Sequence, residues 1–408
     1  MQAKSYDVVV AGGGFVGRAL ALALAKFAPS GFRVALVDAE PPGEEREDAR
    51  ASALSAASRN LLSILGVWPA LEANAQAITS IEITDSALNA TLRPHLLGFE
   101  DELKPSVVAF MVENRDLHCA LAGAVRDAEA IAVLAPETVA AYRADGFRAV
   151  VTLGSGNEIE TPLLIAADGK RSRLRDRAGI KCIAWSYPQT GIVTTVVHSK
   201  PHGGKAVQHF LPAGPFAILP LKGDRSSIVW TEERDRARAI LEGDEAGFLA
   251  ELAKRFGSLL GEIAVAGPVQ SFPLDFQLAR SFVADRLALT GDAAHAVHPL
   301  AGQGLNIGFR DVAALAETIV EAARLGLDIG TAPVLERYER WRRFDSTFSA
   351  TVMDGLNRLF SSDSAPLRAL RDLGLGLVDR APPLKRFLVQ EAAGTTGTVP
   401  RLLRGAPL

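Results

Sequence analysis

The chain has 408 residues, 48% of them apolar and 22% charged, and a formal net charge of -3. That length exceeds one ordinary hydrophobic core, so two interlocked domains are expected. The composition is globular and excludes a disordered chain, and the charge does not favour a nucleic-acid partner.

Met1 to Tyr6 lacks the basic-then-apolar layout of a signal peptide, and the first strand is expected from Tyr6 or Asp7, with nothing ahead of the fold. Tyr6–Ala11 (YDVVVA) has the short β-branched run of a buried parallel strand. Gly12–Gly17 is a turn, Arg18–Lys26 a helix of alternating Ala and Leu, and Arg33–Val37 a second strand ending at Asp38. Together they make a βαβ unit. The acidic, proline-bearing stretch Pro41–Ala49 reads as a surface loop and Ala56–Leu65 as a helix. Ile78–Ile83 and Thr91–Leu97 read as strands or irregular excursions, and Leu117–Val125 as a helix. Val139–Thr152 alternates like an antiparallel hairpin turning near Asp145-Gly146, with a second turn at Gly154–Asn157.

Leu163–Ala167 is another apolar strand. Gly191–Trp230 is strand-rich, broken at Gly203-Gly204, Pro212–Gly214 and Lys222–Asp224. Glu245–Phe256 reads as a helix. Arg286–Thr290 returns to a buried strand, followed by a glycine-rich loop and a long helix to about Leu325. Val334–Leu408 reads as helical, interrupted by prolines. No apolar run reaches the roughly 18 residues of a membrane-spanning helix. Cys119 and Cys182 fit no zinc or CxxC spacing and suit a reducing compartment, so a cytoplasmic location is expected.

Three motifs carry chemistry. The first, Gly12-Gly13-Gly14-Phe15-Val16-Gly17, is a G-x-G-x-x-G between a strand and a helix. Gly12 permits the tight turn, Gly14 lets a pyrophosphate approach the backbone, and Gly17 lets helix and strand pack closely. The helix start offers free N–H groups to the phosphate. Asp38 stands where a carboxylate accepts from ribose hydroxyls, which points to a dinucleotide without separating FAD from NAD. The second motif is Asp168-Gly169 after an apolar strand, with Ser172 and Arg175 following. By itself it reads more readily as a plain turn. The third runs Arg286 to Gly291-Asp292-Ala293-Ala294-His295, then His298-Pro299-Leu300-Ala301-Gly302-Gln303-Gly304-Leu305-Asn306-Ile307-Gly308. Asp292 at a strand end can accept from a polyol chain. Gly302 and Gly304 let amides face a ring at a positively polarised helix start.

In this order the motifs resemble the single-component FAD-dependent aromatic hydroxylases, the para-hydroxybenzoate hydroxylase class, over nearly the whole chain. The finer resemblance is to the ubiquinone-biosynthesis hydroxylases. Arg50-Ala-Ser-Ala-Leu-Ser55, Glu113–Leu117, Gly214–Leu221 and His298–Asp311 carry it. Where some of those enzymes read Asn-Ala-Ala-Gln, this chain keeps Asp292-Ala293-Ala294-His295, which leaves the ring position open.

The resemblance implies an α/β fold: a Rossmann-like FAD-binding domain with an inserted mixed β-sheet substrate domain and C-terminal helices. Residues 1–75, 105–180 and 281–330 would form the discontinuous FAD domain. Residues 76–104 and 181–280 would form the β-rich substrate domain, and 331–408 the C-terminal helical region. FAD would meet Gly12, Gly14, Val16, Gly17, Asp38, Arg50, Asn114, Asp168, Gly169, Gly291, Asp292, Pro299, Gly302, Gln303, Gly304, Leu305 and Asn306. The implied reaction hydroxylates a phenolic, polyprenylated ring using NADPH or NADH as transient reductant and O2 through a flavin hydroperoxide. No side chain stands out as the base. His209, His295 and His298 are candidates, each more readily a structural histidine, and the Pro299 carbonyl is an alternative acceptor.

Phe210, Phe216 and Trp230 would either wall the substrate site or form sheet core. Between Ser364 and Leu408 seven basic residues face three acids among many leucines. That segment reads either as a docking helix with a solvated face or as a peripheral contact with the inner membrane. A biosynthetic complex and a homo-oligomer are further expectations. Two rival readings are a reductase of the same fold and a non-catalytic FAD-holding subunit.

Overall fold

The computed structural model describes residues 4–41, 48–85, 95–99, 107–297, 303–360 and 398–408. A six-stranded sheet runs in the order 283–284, 287–289, 163–166, 8–11, 34–37, 131–134, parallel except for its first, two-residue edge strand. Val8–Ala11, Val34–Val37 and Leu163–Ala166 are buried at every position. Helix Phe15–Phe27 packs on this sheet and strand Ala149–Leu153 packs against Leu163–Ala166, so strands buried this fully need unbroken apolar runs rather than alternation. Helix Phe15–Phe27 lies between the sheet and the helices Asn114–Arg126 and Gln303–Arg324. Its Ala19–Leu24 stretch is buried all round, which the alternation of Ala and Leu makes possible.

The first strand starts at Val8, not at Tyr6 or Asp7, and it does not open the fold. Lys4–Ser5 forms its own short strand, pairing in parallel with Glu158–Thr161. That strand and the hairpin Val139–Ala144 and Ala149–Leu153 make a separate four-stranded sheet. The helices start earlier than their apolar periodicity, at Phe15 rather than Arg18 and at Asn114 rather than Leu117. Helix Ala56–Leu65 matches its expected bounds because both caps are local. Ser55 Oγ accepts from Ser58 N at 3.2 Å, and Gly66 closes the end at φ +83°.

The second large sheet has nine strands and is mixed. Its centre is Cys182–His198, Arg225–Glu233, Gly214–Leu221 and Lys205–Leu211, joined to Ser80–Asp85 and then His95–Phe99. On the other side it continues through Gln270–Ala279 to His295–Ala296. So the sheet reaches beyond the expected 76–104 and 181–280. Gln76–Ile78 instead joins Ala51–Ser55 and Ala109–Glu113 in a three-stranded sheet.

Alternation along these strands sends Ile192, Val196, Phe216, Ile218, Ile228 and Trp230 to one face. There they form a core with helices Arg234–Leu241 and Glu245–Phe256. Phe216 and Trp230 are therefore core residues, their ring centroids 6.2 Å apart, and not a substrate wall. Phe210 is buried on the opposite face, with its neighbour Leu211 turned to the core.

In this region Glu251 accepts from Lys254 at 2.6 Å, from Arg255 at 2.8 Å and from Arg236 at 3.1 Å. Those bonds hold its carboxyl down at about 2 from an ordinary 4.5. The depressed value makes its contribution to stability fully present above about 4.5 and lost as pH falls towards about 2. Urea midpoints measured between pH 6 and 2 should fall along this limb, and Glu251→Gln should flatten it. An unchanged limb in the variant would reject this account.

The C-terminal helix Ala332–Phe360 is a single helix across its described length. Residues 361–397, the expected proline-interrupted and basic stretch, lie outside the described residues. So do residues 42–47 of the expected surface loop and 91–94 of the expected excursion. The chain then returns at Arg401–Arg404, where Leu402 and Leu403 are buried. Among the described residues no helix is long and apolar enough to cross a membrane.

Candidate active site

The three motifs come off adjacent parallel strands at their C-terminal ends. Stepwise backbone bonds link them: Thr290 N to Ala166 O at 3.0 Å, Ala167 N to Ala11 O at 2.8 Å, and Gly12 N to Val37 O at 2.8 Å. Ligands in open α/β sheets bind beyond such strand ends.

Each turn glycine has a separate reason. Gly12 sits at φ +114°, and a Cβ there would run into the Ala167 carbonyl. A Cβ on Gly17 would run into the Gly12 carbonyl, and one on Gly13 into the Asp38 carboxylate. Gly14 differs: no heavy atom lies within 4 Å of its Cβ position. It is also the N-cap of helix Phe15–Phe27 and makes no side-chain cap bond. Gly14 and Phe15, at the start of the helix, both line a cavity.

Val16 joins the first motif to the third. A Cβ on Gly291 would lie 3.1 Å from Val16 Cγ2, and one on Gly308 would lie 2.7 Å from it. Small residues at 291 and 308 let the first motif's helix start dock against the Gly-Asp turn. Gly291 itself sits at φ +58°. The second motif is tied in by Arg175, whose Nη1 donates to Ala293 O at 3.2 Å and to Lys170 O at 3.1 Å. Gly169 turns at φ +79°.

Asp38 follows strand Val34–Val37. Its carboxylate accepts from Glu40 N at 3.3 Å and from Arg18 Nη2 at 3.4 Å. Gly13, Gly14, Phe15, Asp38, Arg50 and Asn114 line one cavity of about 190 Å³. The Arg50 guanidinium is gripped by Asp48 through two bonds of 2.7 Å and lies over the Phe272 ring at 5.1 Å. Asn114 holds the same Asp48 through Nδ2 at 3.0 Å and accepts from Ser52 Oγ at 2.7 Å. Burial alone would raise the Asp48 carboxyl, but the bonds from Arg50 and Asn114 outweigh it and hold it below its usual range. Sequence reasoning missed Asp48, since no local pattern distinguishes it within an acidic run. A larger groove of about 510 Å³ lies by Asp7, Phe147 and Asp328 and contains none of the motif residues.

Two carboxylates face the site from the other motifs. Asp168 Oδ1 is buried without a hydrogen-bond partner among the described residues, and burial pushes its carboxyl up. Asp292 is open to solvent at its surface, yet protein atoms crowd around its carboxyl. That crowding raises its carboxyl against the pull of His295, Arg50 and Lys170.

His295 is anchored at one ring nitrogen, and its Nδ1 is buried without a hydrogen-bond partner among the described residues. It is 2% exposed, and its Nε2 donates to Asp311 Oδ2 at 2.6 Å. His209 is likewise buried, 2.6 Å from Thr84 Oγ1. At the next helix Gln303, Gly304 and Leu305 are half-buried, and nothing lies within 4 Å of a Cβ on Gly304. Asn306 spends its side chain on the protein. Its Oδ1 accepts from Ser55 N at 3.0 Å and Ser58 Oγ at 2.7 Å, and its Nδ2 donates to Ala53 O at 2.8 Å. His298, Pro299 and Gly302 lie outside the described residues.

These features fit FAD. An uncapped helix start suits a pyrophosphate. The buried, unpartnered Asp168 Oδ1 can accept from a hydroxyl, and the buried, unpartnered Arg18 Nη1 beside Asp38 can donate.

A family model described as FAD binding domain matches residues 5–344. The chain is 43% identical to the ubiquinone hydroxylase UbiL of Rhodospirillum rubrum, across 99% of this chain and 94% of that one. It is 38% identical to the 3-demethoxyubiquinol 3-hydroxylase of Escherichia coli, across 95% of this chain and 98% of that one. Among solved structures, p-nitrophenol 4-monooxygenase PnpA from Pseudomonas putida superposes with a TM-score of 0.76. That match covers 97% of this chain and 100% of that one at 19% identity, a likeness of fold.

Proposed function

The chain belongs to the FAD-binding-domain family, with the ubiquinone hydroxylases among its relatives, and from that premise we propose that it hydroxylates a phenolic, polyprenylated ring in ubiquinone biosynthesis. NADPH or NADH is the transient reductant and O2 the oxidant. The observation that carries the reading is the convergence of three motifs on neighbouring strand ends, with open space at Gly14 and Gly304.

Bound FAD would supply the redox chemistry, carrying electrons from the nicotinamide to oxygen. The chain's own residues supply binding and orientation. The amides opening helix Phe15–Phe27 would hold the pyrophosphate, and Asp38 the adenosine ribose. Asp168 and Asp292 would accept from hydroxyls, and Gly291 would let the backbone turn beneath them. Arg50, Asn114 and the start of helix Gln303–Arg324 would flank the ring system. With His295 and His209 engaged by Asp311 and Thr84, His298 and the Pro299 carbonyl are the remaining candidate acceptors for the substrate's hydroxyl. Residues 1–75, 105–180 and 281–330 would then be the cofactor domain. The nine-stranded sheet's face opposite its helices, which carries Phe210, would be the substrate side.

The test is oxygen and NAD(P)H consumption by the FAD-loaded protein with a prenylated phenol. Both should rise on adding the phenol, and one atom of labelled O2 should enter the product. NAD(P)H oxidation without oxygen uptake would make the protein a reductase. FAD binding with no phenol-stimulated oxidation would make it a holding subunit.

A further inference from the structure

Asp311 lies in helix Gln303–Arg324 and is fully buried. Its Oδ2 accepts from the Gly291 N–H at 3.0 Å and from His295 Nε2 at 2.6 Å, and its Oδ1 accepts from Arg342 Nε at 2.8 Å. One carboxylate therefore fixes the first amide of the Gly-Asp turn and the histidine that ends it. Arg342, 1% exposed, comes from the C-terminal helix and is steadied by Asp345 at 3.0 Å and Ser346 at 3.2 Å. Among the described residues, its hydrogen bonds go to Asp311, Asp345 and Ser346 and not to the turn itself.

The same helix touches both neighbours of the turn. Tyr338 Oη donates to Leu289 O at 2.8 Å, at the end of the strand that feeds the turn. Glu339 accepts from Ser281 Oγ and Phe282 N, both at 2.8 Å. Twelve residues beyond Arg342, about 18 Å along the helix, Asp354 accepts from Tyr187 Oη at 2.6 Å on the nine-stranded sheet. The helix thus spans from the cofactor turn to the substrate sheet.

We propose that Asp311 is a positioning residue for the Gly291-Asp292 turn, and that Arg342 acts on the turn only through Asp311. By this route the C-terminal helix sets how firmly the turn holds the cofactor. The inference rests on FAD occupying the site described above. Without Asp311 the buried Arg342 keeps, among the described residues, only Asp345 as a carboxylate partner, and an asparagine at 311 can accept with only one of its two terminal atoms. It would leave either the Gly291 amide or Arg342 Nε facing another donor.

The experiment is a double-mutant cycle on FAD affinity, read by flavin fluorescence with Asp311→Asn, Arg342→Met and the two combined. Each single change should weaken FAD at least tenfold, and the double should be no weaker than Asp311→Asn alone. At saturating FAD the visible absorption bands of Asp311→Asn should also shift. Losses that multiply in the double variant would overturn the relay. So would variants with lowered melting temperatures but parental affinity and spectrum, since the cluster would then serve only the fold. If Arg342→Met does not accumulate, Arg342→Lys is read the same way, because an ammonium cannot reproduce the fork to Asp311, Asp345 and Ser346. A parent chain that fails to bind FAD sinks the functional reading. A parent that binds, with variants that bind equally, sinks only this inference.

Discussion

Replacing Gly14 with valine is expected to leave the apoprotein folded and to weaken FAD binding by about 100-fold, or about 2.8 kcal/mol. The position is open in the protein, with no heavy atom within 4 Å of a Cβ, so the side chain meets nothing until a ligand arrives. What it then blocks is the approach of a phosphate to the first amides of helix Phe15–Phe27. Hydrogen bonds to a charged group are worth about 1.5–3 kcal/mol each, and the helix-end field adds up to about 2 kcal/mol in favourable geometry. Losing part of that sum gives the quoted figure. Gly17→Val is the contrast, since its side chain would collide with the Gly12 carbonyl and should destabilise the protein with or without cofactor. Thermal melts of both apoproteins, with a flavin titration of the Gly14 variant, make the comparison. Parental FAD affinity in Gly14→Val would mean that no phosphate sits at this helix start.

The second large effect is on stability. Arg255→Ala should destabilise the nine-stranded sheet and its helices by about 3–5 kcal/mol. Arg255 and Glu232 are each about 2% exposed, and their side chains meet at 2.6 Å. The guanidinium also lies 4.3 Å from the Trp230 ring centroid, and Trp230 Nε1 donates to the same Glu232 at 3.2 Å. Removing the cation leaves the buried carboxylate with Trp230 Nε1, the Glu233 amide and a 4.0 Å contact to the half-exposed Arg236, and losing its close buried partner costs more than the pair's net worth. Urea unfolding should therefore show the single variant far below parent, and Arg255→Met with Glu232→Leu recovering most of the loss. A double variant as weak as the single would instead place the loss in packing against Trp230.

The legible parts of the fold were those with local causes. Helices Ala56–Leu65 and Glu245–Phe256 matched because Ser55, Gly66, Asp244 and Gly257 announce their ends. The turn Gly12–Gly17 and Asp38 were legible because a βαβ unit fixes their spacing. Other features depend on distant partners. Strand alternation shows neither that Phe216 on one strand pairs with Trp230 on the next nor which face carries the helices. Lys4–Ser5 is too short to show a period and exists only through Glu158–Thr161. Asp311 and Arg342 are 31 residues apart in two helices, and nothing in either segment marks a buried pair. Asn114 was singled out by resemblance. Its bond to Asp48, which sets the Arg50 guanidinium, joins residues 66 apart and arises only in the folded chain.

The sheet order also dictates when the protein can fold. Leu163–Ala166 sits between Val8–Ala11, made early, and Leu287–Leu289, made late. On a ribosome adding about 5–20 residues per second, the stretch of roughly 120 residues between the central strand and its second partner takes about 6–24 s to emerge. During that interval an apolar strand edge stands unpaired. The nascent chain is therefore expected to need a holding chaperone, and slowing translation between codons 170 and 280 should raise aggregation more than slowing it after codon 300.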